Sequence, residues 1–513
     1  MNKNDFKILG IILKFIRARK SKVCWSLDGG RALFYLKNIL KYDILRIYNL
    51  KIHMDLSKIK KVYFSGIGGI GISALARIML HLNKKVIGSD LVQSETTDKL
   101  SKEGAKIILK QESKNITKDI DLFIYSPAEE SNHPERKEAK KLGIKQYSYS
   151  EFLGLISKDY NTISICGTHG KSTTTAMTGW LLEKGGIDPM VIVGSKMKTW
   201  DDNLRLGHSN VLVAESCEWK AHILEISPNV ILINNIEWDH PDYFKNLNQT
   251  VSIFQKYVNK LTKNQLLIIN ADDKASKLIK TKSKIFSFGI NNKKANLLAK
   301  NIKINSKTHT QAFDVYLFNK KIDNYSISMP GIINVYNALA SISVAINFEI
   351  PSLKIKKALK DFPGIWRRFE NVGKYKGATI ISDYGHHPTA VRQTLQAARD
   401  FYPNHRIVLA FQPHHHSRTL SLLKDFVKCF DNADVLILEE IYAVPGREQE
   451  KEIKSINSED LIKKIQKHNS KLKILYSKDN NEVLENINKT IKKNDVVIVM
   501  GAGAIYGVIS KLK

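Results

Sequence analysis

The residues best suited to chemistry in this 513-residue sequence form the run Gly167-Thr168-His169-Gly170-Lys171-Ser172-Thr173-Thr174-Thr175. Glycine-rich backbone can aim amides at phosphates, the Lys171 ammonium can reach β and γ oxygens, and the Ser172 hydroxyl can ligate Mg2+. The spacing GxxxxGK[ST] would need glycine where Ile165 stands, so this is a shorter GTxGK[ST] loop opening at Gly167. A strand-like run, Asn161 to Cys166, precedes it, and a helical segment through Met177, Trp180 and Leu181 follows. Strand, glycines, lysine, hydroxyls and helix stand in the order a phosphate loop requires.

Two further strands would carry ligands beside that loop. Val211 to Ala214 ends at Glu215, and Val230 to Ile233 delivers Asn234-Asn235-Ile236-Glu237-Trp238-Asp239-His240. Carboxylate and imidazole at neighbouring strand ends can complete the shell of a phosphate-bound Mg2+. Glu215 is the first choice; Glu218, Glu237 and Asp239 compete, each being otherwise a surface carboxylate. Imidazole is an unusual Mg2+ ligand, so His240 reads equally as a ligand or a helix cap.

Earlier, Val62-Tyr63-Phe64-Ser65 enters Gly66-Ile67-Gly68-Gly69-Ile70-Gly71, with an apolar helix from Ser73 to Leu82 and a second strand, Lys85 to Gly88, ending at Asp90. An acid about twenty residues beyond a glycine turn is where a doubly wound nucleotide domain meets a ribose. The ligand would be a dinucleotide or another nucleotide diphosphate; the alternative is a tight βα turn. The last third brings Trp366-Arg367-Arg368-Phe369-Glu370, Asp383-Tyr384-Gly385-His386-His387-Pro388 and Phe411-Gln412-Pro413-His414-His415-His416-Ser417-Arg418. Five histidines in two loops invite zinc, but adjacent side chains diverge on a strand and no Cys or HExxH spacing accompanies them. Each loop follows a strand, Ala378 to Ser382 or Ile407 to Phe411, so both can line one crevice. Arg367, Arg368 and Arg418 can offer forked donors to phosphate or carboxylate; the alternative is a structural pair with Glu370.

The elements that position these groups need several cores. At roughly 150 residues per domain the length suggests about three, and 43 % apolar with 25 % charged residues is a globular balance. Of 80 basic residues only 14 are arginine, and lysine is diffuse, so the +30 formal charge reads as a solvated surface and not as a nucleic-acid footprint. Four scattered cysteines, Cys24, Cys166, Cys217 and Cys429, suggest neither a disulfide framework nor structural zinc, and fit a reducing cytoplasm. No apolar run reaches the length of a membrane span. Residues 1 to 57 are basic, with Leu9, Ile12, Leu13 and Ile16 at helical spacing, and read as an appended helix of uncertain status.

Nine blocks in one order resemble the Mur ligases of peptidoglycan synthesis: GIGGIGIS (66 to 73), GSDL (88 to 91), GTHGKSTTT (167 to 175), NIEWDHPDYF (235 to 244), NVYNALA (334 to 340), RRFE (367 to 370), DYGHHPT (383 to 389), FQPHHHSRT (411 to 419) and GAGAIY (501 to 506). The resemblance implies an α/β protein of three domains: a Rossmann-like UDP-binding domain over 58–157, a central P-loop-like ATPase domain with a mostly parallel sheet over 158–362, and a C-terminal Rossmann-like α/β domain over 363–513. It also implies ATP and Mg2+, and UDP-N-acetylmuramate and L-alanine as small-molecule partners.

By the family pattern Gly68, Gly69 and Gly71 meet the pyrophosphate and Asp90 the uridine. Gly167, Thr168, His169, Gly170, Lys171, Ser172 and Thr173 surround the ATP phosphates, and Ser172, Glu215 and His240 hold metal. Asn334 and Asn337 face adenine, Arg368 reaches the γ-phosphate and Asp383 sits by the ATP ribose. Tyr384, His386, His414 and Arg418 lie near the muramyl carboxylate and the amino acid. The implied reaction is attack of the lactyl carboxylate on ATP, then attack of the L-alanine amine on the acyl phosphate, with Lys171 and Arg368 offsetting charge and His386 or His414 as base. Ser172 replaces the commoner Thr, Ile333 stands where the family usually has His, and Ala504 where it carries Asp. A ligase that attaches an intact tripeptide to the same sugar nucleotide shares this architecture. A nicotinamide-dependent dehydrogenase would leave GTHGKSTTT without a role, and a silent binding protein would have no need of Lys171, Ser172 and Glu215 together.

Overall fold

A computed structural model describes residues 56–200, 202–443, 448 and 450–512. The appended helix and Cys24 therefore lie outside the described residues, as do positions 444–447. Among the described residues no helix is long and apolar enough to cross a membrane.

Three sheets organise the chain. Strands β1 (Lys61–Ser65), β2 (Lys85–Ser89), β3 (Lys106–Ile108), β4 (Leu122–Tyr125) and β5 (Lys145–Ser148) form an all-parallel sheet in the order β3-β2-β1-β4-β5. The apolar run after the glycines becomes the helix Ile70–His81, which buries Ile72, Leu75, Ile78 and Met79 against it. Beneath the glycine turn, fully buried Glu135 accepts hydrogen bonds from Tyr63, Ser65, Ser89 and Asn115, which satisfies a carboxylate that burial alone would neutralise.

The second sheet has ten strands: β6 (Asn161–Cys166), β7 (Met190–Met197), β8 (Asp202–Arg205), β9 (Val211–Glu215), β10 (Val230–Ile233), β11 (Leu266–Asn270), β12 (Lys284–Gly289), β13 (Leu297–Asn305), β14 (Thr310–Leu317) and β15 (Lys320–Ile327). Their order is β15-β14-β13-β12-β11-β10-β6-β9-β7-β8, parallel from β13 to β7 and antiparallel at both edges. Buried on both faces, β10 is a continuous apolar run, as parallel strands covered by helices often are, while β6 alternates Ile163 and Ile165 with Thr162 and Ser164, whose buried hydroxyls donate to Ser157 O and Ser216 Oγ. The helix Lys171–Gly185 lies between β7 and the helix Ile332–Asn347, and Thr178 bonds Ser341 across that contact.

In the third sheet, β16 (Glu370–Tyr375), β17 (Ala378–Asp383), β18 (Ile407–Phe411), β19 (Val435–Glu439), β20 (Lys473–Ser477) and β21 (Val496–Met500) lie in the order β16-β17-β21-β18-β19-β20, with only β16 antiparallel. Glu439, 4 % exposed at the end of β19, has no partner at Oε2. Burial, with Asp479 nearby, pushes its carboxyl up to about 8. A raised acid stabilises the fold below the unfolded value of about 4.3, and that contribution is lost as pH rises through the folded value. Glu439→Gln is therefore expected to gain stability relative to the parent between about pH 5 and about pH 8, read as a widening gap in urea midpoints.

Candidate active site

The phosphate loop, the segments after β9 and β10 and both histidine loops leave the carboxyl ends of parallel strands, where open α/β sheets bind ligands, while Arg367 and Arg368 precede antiparallel β16. Register sets their level: Ile165 pairs with Glu215 and Cys166 with Ile233, so β6, β9 and β10 release their loops side by side. Met500 likewise pairs with both Asp383 and Phe411, which brings the loops after β17, β18 and β21 together.

The phosphate loop is built around left-handed Gly170, at φ +80°, where a Cβ would run into Asn337 Oδ1. The helix Lys171–Gly185 starts there without a side-chain cap, so its first N–H groups are free for an anion. The loop interlocks with the segment after β10. Thr168 N donates to Asn235 O at 3.0 Å, His169 N to Asn235 Oδ1 at 2.8 Å, and Glu237 N to Thr168 Oγ1 at 2.8 Å. Buried Thr173 begins the helix beside Thr174, whose hydroxyl donates to Asn337 Oδ1 at 3.1 Å. Asn337 in turn donates to Asn334 at 3.0 Å. The two asparagines thus brace the phosphate-loop helix.

Lys171 Nζ donates to Gly167 O at 2.6 Å, Thr168 O at 3.2 Å and Glu218 Oε2 at 3.0 Å. Burial would lower its pKa, but Glu218, Cys217 and Glu215 outweigh that and raise it, so the ammonium stays charged. Ser172 Oγ donates to Glu215 Oε1 at 3.0 Å, and Gly194 N holds the other oxygen at 2.6 Å. This hydroxyl–carboxylate pair is a hard-oxygen donor set of the kind Mg2+ selects. The three competing carboxylates are each engaged by a basic side chain: Glu218 by Lys171, Glu237 by His169 Nε2 at 2.9 Å, and Asp239 by Arg418 Nε at 2.8 Å. Glu218 and Asp239 are buried, which corrects the surface reading of both. Burial works against Glu237, yet His169 and His387 bring its carboxyl down to about 2, while burial and His169 hold His387 near 4.

His240, at φ +56°, places Nε2 3.8 Å from Glu218 Oε1 and from Asp239 Oδ2. Arg418 NH1 reaches His414 Nδ1 at 3.2 Å, and the His414 and His386 rings lie 5.7 Å apart. Close polar neighbours thus extend from the phosphate loop to the two C-terminal histidine loops, with the longest steps at His240 and between the two histidine rings. Burial and Arg418 keep His386 well below the usual imidazole range. His386 and His387 lie in the loop after β17 and not on a strand; His387 caps the next helix and packs 4.9 Å from the His169 ring. Arg368 stacks over Tyr384 at 5.0 Å. Arg367 stacks on Trp366, Tyr384 and Tyr506 and donates to Gly501 O; Glu370 pairs with Lys198, so the Arg–Glu side-chain pair does not form. Asp383 is buried and accepts from the Phe369 and Gly385 amides, which fixes the arginine loop against β17.

In the first sheet Gly68 N donates to Asp90 Oδ2 at 2.8 Å, so the acid caps the glycine turn itself. Gly69 opens the helix Ile70–His81 without a side-chain cap, leaving amides for an anion. Gly71 admits the Tyr149 ring, which a Cβ would meet at 2.8 Å. Glu129, unsuspected from the sequence, is pushed up to about 7, chiefly by burial beside Gly66, and no motif spacing marks it.

The parallel sheets, the phosphate loop and the opposed histidine loops define a nucleotide-dependent ligase, and the chain belongs to the Mur ligase family. Residues 61–161 match the model described as Mur ligase family, catalytic domain; 165–345 the Mur ligase middle domain; and 367–503 the Mur ligase, glutamate ligase domain. The chain is 40 % identical over 457 residues to the UDP-N-acetylmuramate--L-alanine ligase of Clostridium kluyveri, covering 88 % of this chain and 98 % of that protein. It is 37 % identical to the ligase of the same name from Caldanaerobacter subterraneus, over 89 % and 97 % of the two chains. Among solved structures, UDP-N-acetylmuramate-alanine ligase MurC from Thermotoga maritima superposes with a TM-score of 0.74 at 27 % identity, covering 88 % and 98 %. A murein peptide ligase from Psychrobacter arcticus shares the fold at a TM-score of 0.66 and 20 % identity.

Proposed function

We propose that the chain joins the amine of L-alanine to the lactyl carboxylate of UDP-N-acetylmuramate at the expense of ATP, through an acyl phosphate. The observation that supports this reading best is the run of contacts Lys171–Glu218–His240–Asp239–Arg418–His414, with His240 Nε2 3.8 Å from both carboxylates, which fits one site shared by the phosphate loop and the C-terminal histidine loops. The named relatives at 37–40 % identity support the substrate choice.

Lys171 and the helix N-terminus would hold the ATP phosphates, and Arg368 would offset charge developing on the transferred group. Ser172, Glu215 and His240 would hold Mg2+, which supplies charge neutralisation on the phosphates. Arg418 would orient the lactyl carboxylate with its forked donors. The first sheet would bind the UDP moiety at Gly68, Gly69, Gly71 and Asp90. Asn334 and Asn337 would border adenine, Asp383 the ribose, and Tyr384 the muramyl group.

Hydrogen bonding separates the two base candidates. His414 Nδ1 accepts from Arg418, so that lone pair is engaged. His386 Nδ1 donates to Tyr384 O at 3.2 Å, which puts its proton on that nitrogen and leaves Nε2 free to accept one from the amine. His386→Ala is expected to lower kcat by roughly 10²–10⁴-fold with little change in the ATP KM. His414→Ala, which loosens Arg418, is expected to raise the KM for the sugar nucleotide instead. A product mass assay offering L-alanine, glycine, L-serine and the tripeptide in competition tests the reading. The alanyl product should dominate, and tripeptide product in its place would transfer the chain to the tripeptide-attaching class.

A further inference from the structure

His169, Glu237 and His387 converge although they lie 68 and 150 positions apart along the chain, counted from 169 to 237 and from 237 to 387. Their potential ligand atoms, two imidazole nitrogens and a carboxylate oxygen, all lie within 4.8 Å of one another. From this geometry we infer a binding site for a borderline transition-metal dication such as Zn2+, separate from the hard-oxygen pair Ser172 and Glu215.

Three features support it. Metal–ligand bonds of about 2.0–2.2 Å set tetrahedral donors about 3.4 Å apart. His169 Nε2 and Glu237 Oε2 are 2.9 Å apart, and His387 Nδ1 lies 3.9 Å from the same oxygen, so these two pairs each need to move by about half an ångström, and the two imidazole nitrogens, within 4.8 Å of each other, would close onto the ion. His387 Nδ1 accepts the Thr389 N–H at 3.2 Å, which puts the ring proton on Nε2 and makes the nitrogen that faces the carboxylate the basic one; a dication would take that lone pair in exchange for the Thr389 hydrogen bond. Nε2 itself is buried without a partner, so nothing there holds the ring in the opposite tautomer. Finally, Thr389 Oγ1 donates to Glu237 Oε2 at 3.0 Å, an outer-shell bond of the sort that orients a ligating carboxylate. Two imidazoles and one carboxylate select Zn2+ or Co2+ over Mg2+.

His169 belongs to the phosphate loop, Glu237 to the segment after β10, and His387 caps the helix Pro388–Phe401 of the third sheet. A dication held by all three clamps the loop to that helix and impedes its adjustment around ATP, so it inhibits turnover. Binding itself does not depend on the ligase reading, so either can fail alone.

The test is equilibrium dialysis and visible absorption of the full chain with Co2+ alone, in a large excess of Mg2+. One strongly bound equivalent with intense low-symmetry bands is expected. His387→Ala and Glu237→Gln should each lose that equivalent, while Glu215→Gln retains it. Should His387→Ala not fold, Glu237→Gln, which keeps the hydrogen bonds, carries the test. Co2+ retained by Glu237→Gln, or displaced by Mg2+ in the parent, would overturn the inference.

Discussion

Lys171→Ala is expected to abolish ATP-dependent phosphate release, a loss of at least roughly 10²–10³-fold, because a charge preorganised in a water-poor site acts on the transferring phosphoryl group at no reorganisation cost. The ammonium is already positioned by two loop carbonyls and by Glu218, which is 1 % exposed. Removing it leaves Glu218 as an unpaired buried carboxylate, so the single variant should also lose about 3–5 kcal/mol of stability. Lys171→Met combined with Glu218→Gln removes both charges and should restore much of the thermal midpoint while restoring no turnover. Recovery of both together would mean that Lys171 acts only on the fold.

The second large effect is expected at the Arg418–Asp239 pair. Both side chains are buried, and the guanidinium also bonds His414 Nδ1 at 3.2 Å and His414 O at 3.1 Å. Burial would raise Asp239, but Arg418 and then His240 hold it well below the usual carboxylate range. A depressed acid stabilises above its unfolded value of about 3.9 and loses that contribution as pH falls through the folded value. Arg418→Ala is therefore expected to cost about 3–5 kcal/mol near neutral pH. Much of that cost should vanish in acid, as Asp239 takes up a proton. Arg418→Lys should recover little, because one ammonium cannot meet a carboxylate, an imidazole and a carbonyl in one plane. Urea titrations of the two single variants and the Asp239→Asn, Arg418→Ala double variant across pH measure the coupling. A coupling near zero would contradict the account.

Much of this site is legible in the sequence because strand ends carry it. β10 and β18 are apolar runs that stop at Ile233 and Phe411, β6 is an isoleucine-bearing strand that stops at Cys166, and the polar blocks follow at once. Partner choice among the carboxylates is not legible. Glu218, Glu237 and Asp239 have the same chemistry on paper, and what separates them is contact with Lys171, His169 and Arg418 across 47, 68 and 179 positions. The antiparallel extension β13 to β15 is hidden for a different reason. It covers one edge of the sheet with a mixed burial pattern and no motif, so periodicity alone leaves it open. Adjacent His386 and His387 lie in the loop after β17, so strand alternation does not set their directions; that His387 caps the next helix and reaches His169 follows only from the packing of the third sheet.

The most direct measurement is phosphate release from MgATP by the purified chain, with UDP-N-acetylmuramate and L-alanine supplied singly and together. The account predicts release only when both are present, and none from Lys171→Ala. Release that requires neither acceptor, or that answers to the sugar nucleotide with a tripeptide but not with L-alanine, would contradict it.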